Sequence, residues 1–211
     1  MTTGIKNILF DLGGVLVDLN KQACVDAFKA IGYPQAESML SNYVQSGIFL
    51  ELEEGHITPE AFYQAIMAEA PVTREQIDEA FFKFLEGIPQ YKKEMLLELK
   101  KKYKILMLSN TNHIMFSWLR EAYFGVDGHS IGDYFDELFL SYEMGVAKPN
   151  PEIFKILIEK HGIVPSETLF LDDGIKNIEA AAELGFKTYF VQPREDFRHI
   201  FGLEPACCQA I

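Results

Sequence analysis

The stretch Ile8-Leu9-Phe10-Asp11-Leu12-Gly13-Gly14-Val15-Leu16-Val17-Asp18-Leu19 is an apolar run that ends on a carboxylate, with two glycines almost directly behind it. A buried strand that stops at an acid and then turns sharply puts that acid at the carboxyl edge of a sheet, where open α/β folds hold their ligands. Asp11 is therefore a candidate nucleophile. The plainer reading, an acid that caps the next helix, competes with it.

Downstream, Lys21 to Ile31 repeats Ala23, Ala27, Phe28 and Ile31 at helical spacing until Gly32-Tyr33-Pro34. A second helix is expected from about Gln35 to Val44. Thr58-Pro59 opens a third, to Ala70, and Thr73 with Gln76 forms a capping box for the helix holding Phe81, Phe82, Phe84 and Leu85. Glu51, Glu53 and Glu54 read as a solvated acidic loop. From Gln90 the pattern changes: helix Tyr91–Tyr103, strand Lys104–Leu108, strand Leu138–Ser141, helix Pro151–His161, strand Thr168–Leu171, helix Ile175–Leu184 and strand Thr188–Val191. This alternation predicts an α/β fold, a Rossmann-like, doubly wound parallel sheet of residues 1–19 and 89–211, interrupted after its first strand by a helical insert of residues 20–88.

Parallel strands bring all their carboxyl ends to one edge, so groups far apart in sequence can meet there. Asp11 ends the first strand, Ser109-Asn110 and Asp172-Asp173 end two others, and Lys148 stands in the turn Gly145-Val146-Ala147-Lys148-Pro149. Singly, each has an ordinary explanation: helix caps for Ser109 and the aspartate pair, a solvated surface lysine for Lys148. Together they compose a site. Asp11, Asp172 and Asp173 would repel one another without a cation, and oxygen ligands without histidine or cysteine favour a hard ion such as Mg²⁺. Such a set suits phosphoryl transfer, with Asp11 as the in-line nucleophile and the metal and lysine balancing phosphoryl charge.

The motifs Phe10-Asp11-Leu12-Gly13-Gly14-Val15-Leu16-Val17-Asp18, Leu108-Ser109-Asn110, Lys148-Pro149 and Phe170-Leu171-Asp172-Asp173 occur in that order. In this the chain resembles the haloacid dehalogenase superfamily over nearly its whole length. The resemblance implies a nucleophile at Asp11, phosphate binding and catalysis by Ser109 and Lys148 with Asn110 beside the substrate, and Mg²⁺ on Asp11, the Gly13 carbonyl and Asp173. Asp172 is adjacent to that metal and Asn177 supports it from outside. Residues 20–88 would be a helical cap that closes the site and selects the substrate. The departure is Gly13, where most phosphatases of the superfamily carry an aspartate that protonates the leaving group, a contribution of roughly 10²–10⁴-fold. A subset similar to bacterial glucose-1-phosphate phosphatases and the N-terminal domain of soluble epoxide hydrolase shares the Asp-Leu-Gly signature. The likeness extends to Ser109-Asn110-Thr111-Asn112 and Glu54-Gly55-His56-Ile57-Thr58.

The expected activity is thus a Mg²⁺-dependent phosphatase acting on a small phosphorylated metabolite, with sugar 1-phosphates favoured because an anomeric leaving group needs little protonation. The alternatives are a non-catalytic phosphate- or Mg²⁺-binding regulatory module and, below it, a 2-haloacid dehalogenase, for which the Asp172-Asp173 pair has little use. A phosphomutase would need the proton transfers that Gly13 cannot make. His56 and His113 are candidate substitutes for the missing acid–base group, with surface roles as the alternative. Phe62, Phe81, Phe82, Phe84 and Trp118 read as packing.

Composition narrows the partners. The chain has 211 residues, 48% hydrophobic, with a formal net charge of -12, a balance that excludes a binder of nucleic-acid backbones. No apolar run reaches the ~20 residues of a membrane span, and Met1-Thr2-Thr3-Gly4 lacks a signal-peptide plan, so the expected location is cytoplasmic. Cys24, Cys207 and Cys208 have no disulfide or zinc spacing. The sequence leaves the oligomeric state open.

Overall fold

The computed structural model describes residues 3–126 and 128–203. Cys207 and Cys208 lie outside them. Strand β1 (Asn7–Phe10) leads through the Asp11 turn to the short β2 (Asp18–Leu19). Helices α1 (Lys21–Ala30), α2 (Ala36–Met39), α3 (Gly47–Glu53), α4 (Pro59–Glu69) and α5 (Arg74–Phe82) follow, and β3 (Leu85–Gly87) returns antiparallel to β2. The rest of the chain runs α6 (Gln90–Leu99), β4 (Lys104–Ser109), α7 (His113–Leu119), α8 (Ile131–Tyr134), β5 (Glu137–Leu140), α9 (Ser141–Met144), α10 (Pro151–His161), β6 (Thr168–Asp172), α11 (Ile175–Glu183) and β7 (Lys187–Phe190).

Five strands form one parallel sheet in the order β5-β4-β1-β6-β7, so β1 is central. Its Ile8, Leu9 and Phe10 are fully buried because both sheet faces are covered, which is why the strand reads as continuous apolar sequence. Side chains alternate between the faces. Ile8, Phe10, Ile105, Met107, Leu169 and Leu171 pack with α6, while Leu9, Leu106, Leu108 and Phe170 pack with Phe154 and Leu157 of α10 and Ala181 of α11. The expected doubly wound α/β architecture is the one the chain adopts.

Helices α1–α5 share a second hydrophobic cluster, which Ile114 of α7 joins. Phe28, Phe49, Phe62 and Phe81 form its centre, with Phe49 ring centroids 5.2–5.6 Å from the other three. The Thr58-Pro59 start and the Thr73/Gln76 capping box are both present.

Three expectations about this block are corrected. The helix expected over Gln35–Val44 stops at Met39, and the Gln45 side chain bridges the Ser41 backbone in a loop instead. The acidic run lies on helix α3, whose buried side is Phe49, Leu52 and Glu53, an i, i+3, i+4 face. Leu85, expected on a helix, pairs with Leu19 as a strand. No helix among the described residues is long and apolar enough to cross a membrane.

Candidate active site

Because β1 lies between β4 and β6 in register, the residue after Phe10 emerges between their carboxyl ends. Asp11 takes that place, and its amide donates to the Leu171 carbonyl at 2.9 Å. The chain then turns through Gly14, whose φ of +74° suits glycine. A Cβ at this position would overlap Asp173 Oδ2, so the turn and the second aspartate require a bare backbone.

Lys148 is buried and ties the motifs together. Its Nζ lies 2.9 Å from Asp11 Oδ1 and 2.7 Å from Asp172 Oδ2, and donates to the Leu108 carbonyl at 3.0 Å. Its backbone is clamped by Asn110: the Asn110 amide donates to the Lys148 carbonyl and the Lys148 N–H donates to Asn110 Oδ1, both at 2.8 Å. Asp172 has both oxygens engaged, Oδ2 with Lys148 and Oδ1 accepting from Gly174 N–H at 2.7 Å and Asn177 Nδ2 at 2.8 Å. Ser109 is buried at the end of β4, its Oγ 3.4 Å from the Asn110 carbonyl.

Asp11, Asp172 and Asp173 present carboxylate oxygens within 4.8 Å of one another. Three carboxylates against one ammonium leave two negative charges over, which a divalent cation matches. Burial, helped by Asp172 and Asp173 and opposed by Lys148, holds the Asp11 carboxyl well above the usual carboxylate range. Asp173 is pushed up to about 6 by burial and by Asp172. Burial would pull Lys148 down, but Asp11 and Asp172 outweigh it and hold the ammonium above its ordinary value. Oxygen donors alone, with surplus negative charge, suit a hard cation.

These groups floor a cleft of about 820 Å³, counting its open mouth, which is roofed by the helical block. Asp11, Gly13, Ser109, Asn110, Lys148 and Asp173 line the floor; Leu40, Asn42, Tyr43, Gln45, Phe49, Glu53, Phe81 and Phe84 line the roof. Asn177 also reaches the lining. Phe81 and Phe84 thus serve as cleft wall as well as packing, whereas Phe82 stacks on Trp118 at 4.5 Å.

The two candidate histidines stand elsewhere. His56 is half exposed between Glu51 and Glu54, each 3.6 Å away, and His113 is exposed 6.0 Å from the Tyr142 ring; neither lines the cleft. Glu53 does line it, although sequence reasoning gave it to a solvated loop. The signal that could have found it is its spacing from Phe49 and Leu52 on one helix face.

A family model described as haloacid dehalogenase-like hydrolase matches residues 5–185. The chain is 40% identical over 196 residues to the D-ribitol-5-phosphate phosphatase of Bacteroides thetaiotaomicron, covering 92% of this chain and 95% of that protein. It is 44% identical to a crystal structure of a Bacteroides thetaiotaomicron HAD family enzyme in complex with magnesium and inorganic phosphate, with a TM-score of 0.87 over 93% of this chain and 99% of the other. A Porphyromonas gingivalis structure described as a predicted HAD-like family hydrolase is 36% identical, with a TM-score of 0.86 over 94% and 96% of the two chains. The order of the strands, the groups at their ends and these likenesses agree that the chain belongs to the haloacid dehalogenase-like hydrolases.

Proposed function

We propose that the protein is a Mg²⁺-dependent phosphatase of a small phosphorylated metabolite and works through an aspartyl-phosphate on Asp11. The observation that carries this reading is the meeting of Asp11, Ser109, Lys148 and Asp173 on one cleft floor, with Lys148 2.9 Å from the Asp11 carboxylate. Asp11, the Gly13 carbonyl and Asp173 would hold Mg²⁺, which supplies positive charge to the phosphoryl oxygens when bound. Asp172, with both oxygens engaged, fixes Lys148 in this scheme and leaves ligation to Asp173.

Asp11 attacks phosphorus in line with the departing oxygen. Lys148 keeps Asp11 oriented and shares the phosphoryl charge, and the Ser109 hydroxyl turns from its weak contact with Asn110 toward a phosphoryl oxygen. Asn110 acts by holding the lysine turn. The helical block, residues 20–88, serves as the cap that covers this floor. The polar floor and largely apolar roof of this cleft suit a phosphorylated sugar or polyol. D-ribitol 5-phosphate is the first substrate to try, on the strength of the relative named for it. Sugar 1-phosphates, which need least protonation, come next.

The test is Mg²⁺-dependent phosphate release from such a panel by wild type and Asp11→Asn. Wild-type turnover that the variant lacks supports the reading. Gly13 favours one competing reading, a phosphate-binding module without turnover; ligand binding by wild type with no release from any ester would establish that instead.

A further inference from the structure

The reaction proposed above needs a proton donor for the leaving oxygen and a base for the attacking water, and Gly13 supplies neither. Position 13 has little room for one: a Cβ there would press on Leu19 Cδ1 at 3.1 Å. Among the described residues lining the cleft there is no histidine or cysteine, and the carboxyl groups are Asp11, Asp173 and Glu53. Asp11 is the nucleophile and Asp173 belongs to the cation cluster. Glu53 remains, and it comes from the roof.

We propose that Glu53 is the general acid and base of the reaction, standing in from the helical block for the side chain that position 13 lacks. The proposal rests on the phosphatase reading. Glu53 is only 6% exposed, yet its Oε1 has no hydrogen-bond partner among the described residues. A buried carboxyl oxygen left unpaired is costly, and a ligand oxygen in the cleft would satisfy it.

Three consecutive residues, Glu53 to Gly55, meet the sheet domain. The Ser141 hydroxyl, which accepts from Thr111 N–H at 2.9 Å, lies 2.6 Å from the Glu53 carbonyl. Glu54 Oε1 accepts from Ala147 N–H at 3.3 Å. Gly55 lies so close to the Tyr142 carbonyl that a Cβ would overlap it. These contacts join Glu53 to the loops that carry Thr111 and Lys148, so the roof carboxyl is held relative to the phosphate-binding floor. Burial pushes Glu53 up to about 8, with Lys148 offsetting this in part and Glu54 adding to it, so the carboxyl carries a proton at neutral pH as a donor must.

The steps balance. As Asp11 Oδ bonds to phosphorus and the ester P–O bond breaks, the departing oxygen takes the Glu53 proton and leaves as the alcohol. Water then attacks phosphorus and gives its proton to the Glu53 carboxylate, the P–O bond to Asp11 breaks, and inorganic phosphate leaves with both carboxyl groups restored.

The experiment uses the Mg²⁺-loaded full chain as wild type, Glu53→Gln and Glu51→Gln. The substrates are the alkyl phosphate that wild type hydrolyses best and p-nitrophenyl phosphate, whose leaving group departs as a stable anion. Glu53→Gln is expected to lower kcat/KM for the alkyl ester by ~10²–10⁴-fold. With p-nitrophenyl phosphate it should release a burst of nitrophenolate close to the enzyme concentration and then turn over slowly, because water still lacks its base. Glu51, exposed on the same helix, should tolerate Gln without change. Glu53→Asp, which keeps the acid on a shorter arm, should recover part of the lost rate and serves as the variant if Gln prevents folding. Equal losses on both esters without a burst would overturn the proposal in favour of a binding role, as would a loss under tenfold on the alkyl ester. Wild type that releases phosphate from no ester would sink the phosphatase reading and this inference with it, whereas wild-type turnover matched by Glu53→Gln would sink the inference alone.

Discussion

The floor and the roof of the cleft are built on opposite rules. On the floor the polar groups satisfy one another: Lys148 contacts two carboxylates and a carbonyl, Asn110 makes two bonds to the Lys148 backbone, and Asp172 accepts from three donors. On the roof Glu53 Oε1 is buried with no hydrogen-bond partner among the described residues, and Tyr43, which lines the same cleft, is half exposed. Mutually satisfied polar networks hold geometry, while unpaired ones await a partner. On the proposed reading the nucleophile and the phosphate-binding groups are preorganised at the sheet edge, and the helical block supplies the proton-transfer group and the opposite wall of the cleft.

Breaking the floor should have the largest effect. Lys148→Met leaves Asp11 and Asp172 buried against each other without their cation, and loss of one partner of a buried pair costs about 3–5 kcal/mol. Urea denaturation at pH 7 should show that loss together with abolished turnover. A stable, inactive variant would mean the lysine serves chemistry alone.

The roof contributes a term that depends on pH. Glu53 binds a proton in the folded state up to about pH 8, whereas an unfolded glutamate releases it near 4.5. Between those values the folded state holds more protons than the unfolded one, so stability falls as pH rises and levels off above about 8. One proton contributes at most about 1.4 kcal/mol per pH unit. Glu53→Gln should remove that slope, so its stability relative to wild type should rise from pH 5 to pH 8. A constant difference across that range would contradict the buried, protonated carboxyl.

The smallest expected effect is at the rim. Tyr43→Ala should change stability by no more than about 0.5 kcal/mol, as exposed positions do, while shifting the ranking of substrates in the panel. An unchanged ranking would remove Tyr43 from substrate selection.

The difference between floor and roof also decides what was legible in the sequence. Asp11, Ser109 and Asp172-Asp173 stood out because each ends a short apolar strand, and a parallel sheet converts strand ends into neighbours, while Lys148 was legible through its Gly145-Val146-Ala147-Lys148-Pro149 turn. The roof has no such rule. Helix α3 starts at Gly47 behind Ser46, but Phe49 stands where a capping-box Glu or Gln would and Gly47 where a proline would, so its start signal is weak. Glu53 sits in a run of acids that resembles a solvated loop, and only its spacing from Phe49 and Leu52 turns it inward. Leu85 pairs with Leu19, 66 residues earlier, a contact that no local pattern announces.

The central claim is that Asp11 forms a covalent bond to phosphorus. Rapid acid quench of the Mg²⁺-loaded enzyme during turnover, followed by mass spectrometry of the peptide containing Asp11, should find one added phosphoryl group on that residue. With p-nitrophenyl phosphate the adduct should accumulate further in Glu53→Gln, and with either ester it should be absent in Asp11→Asn. Wild type that releases phosphate while its Asp11 peptide stays unmodified at every quench time would contradict the account.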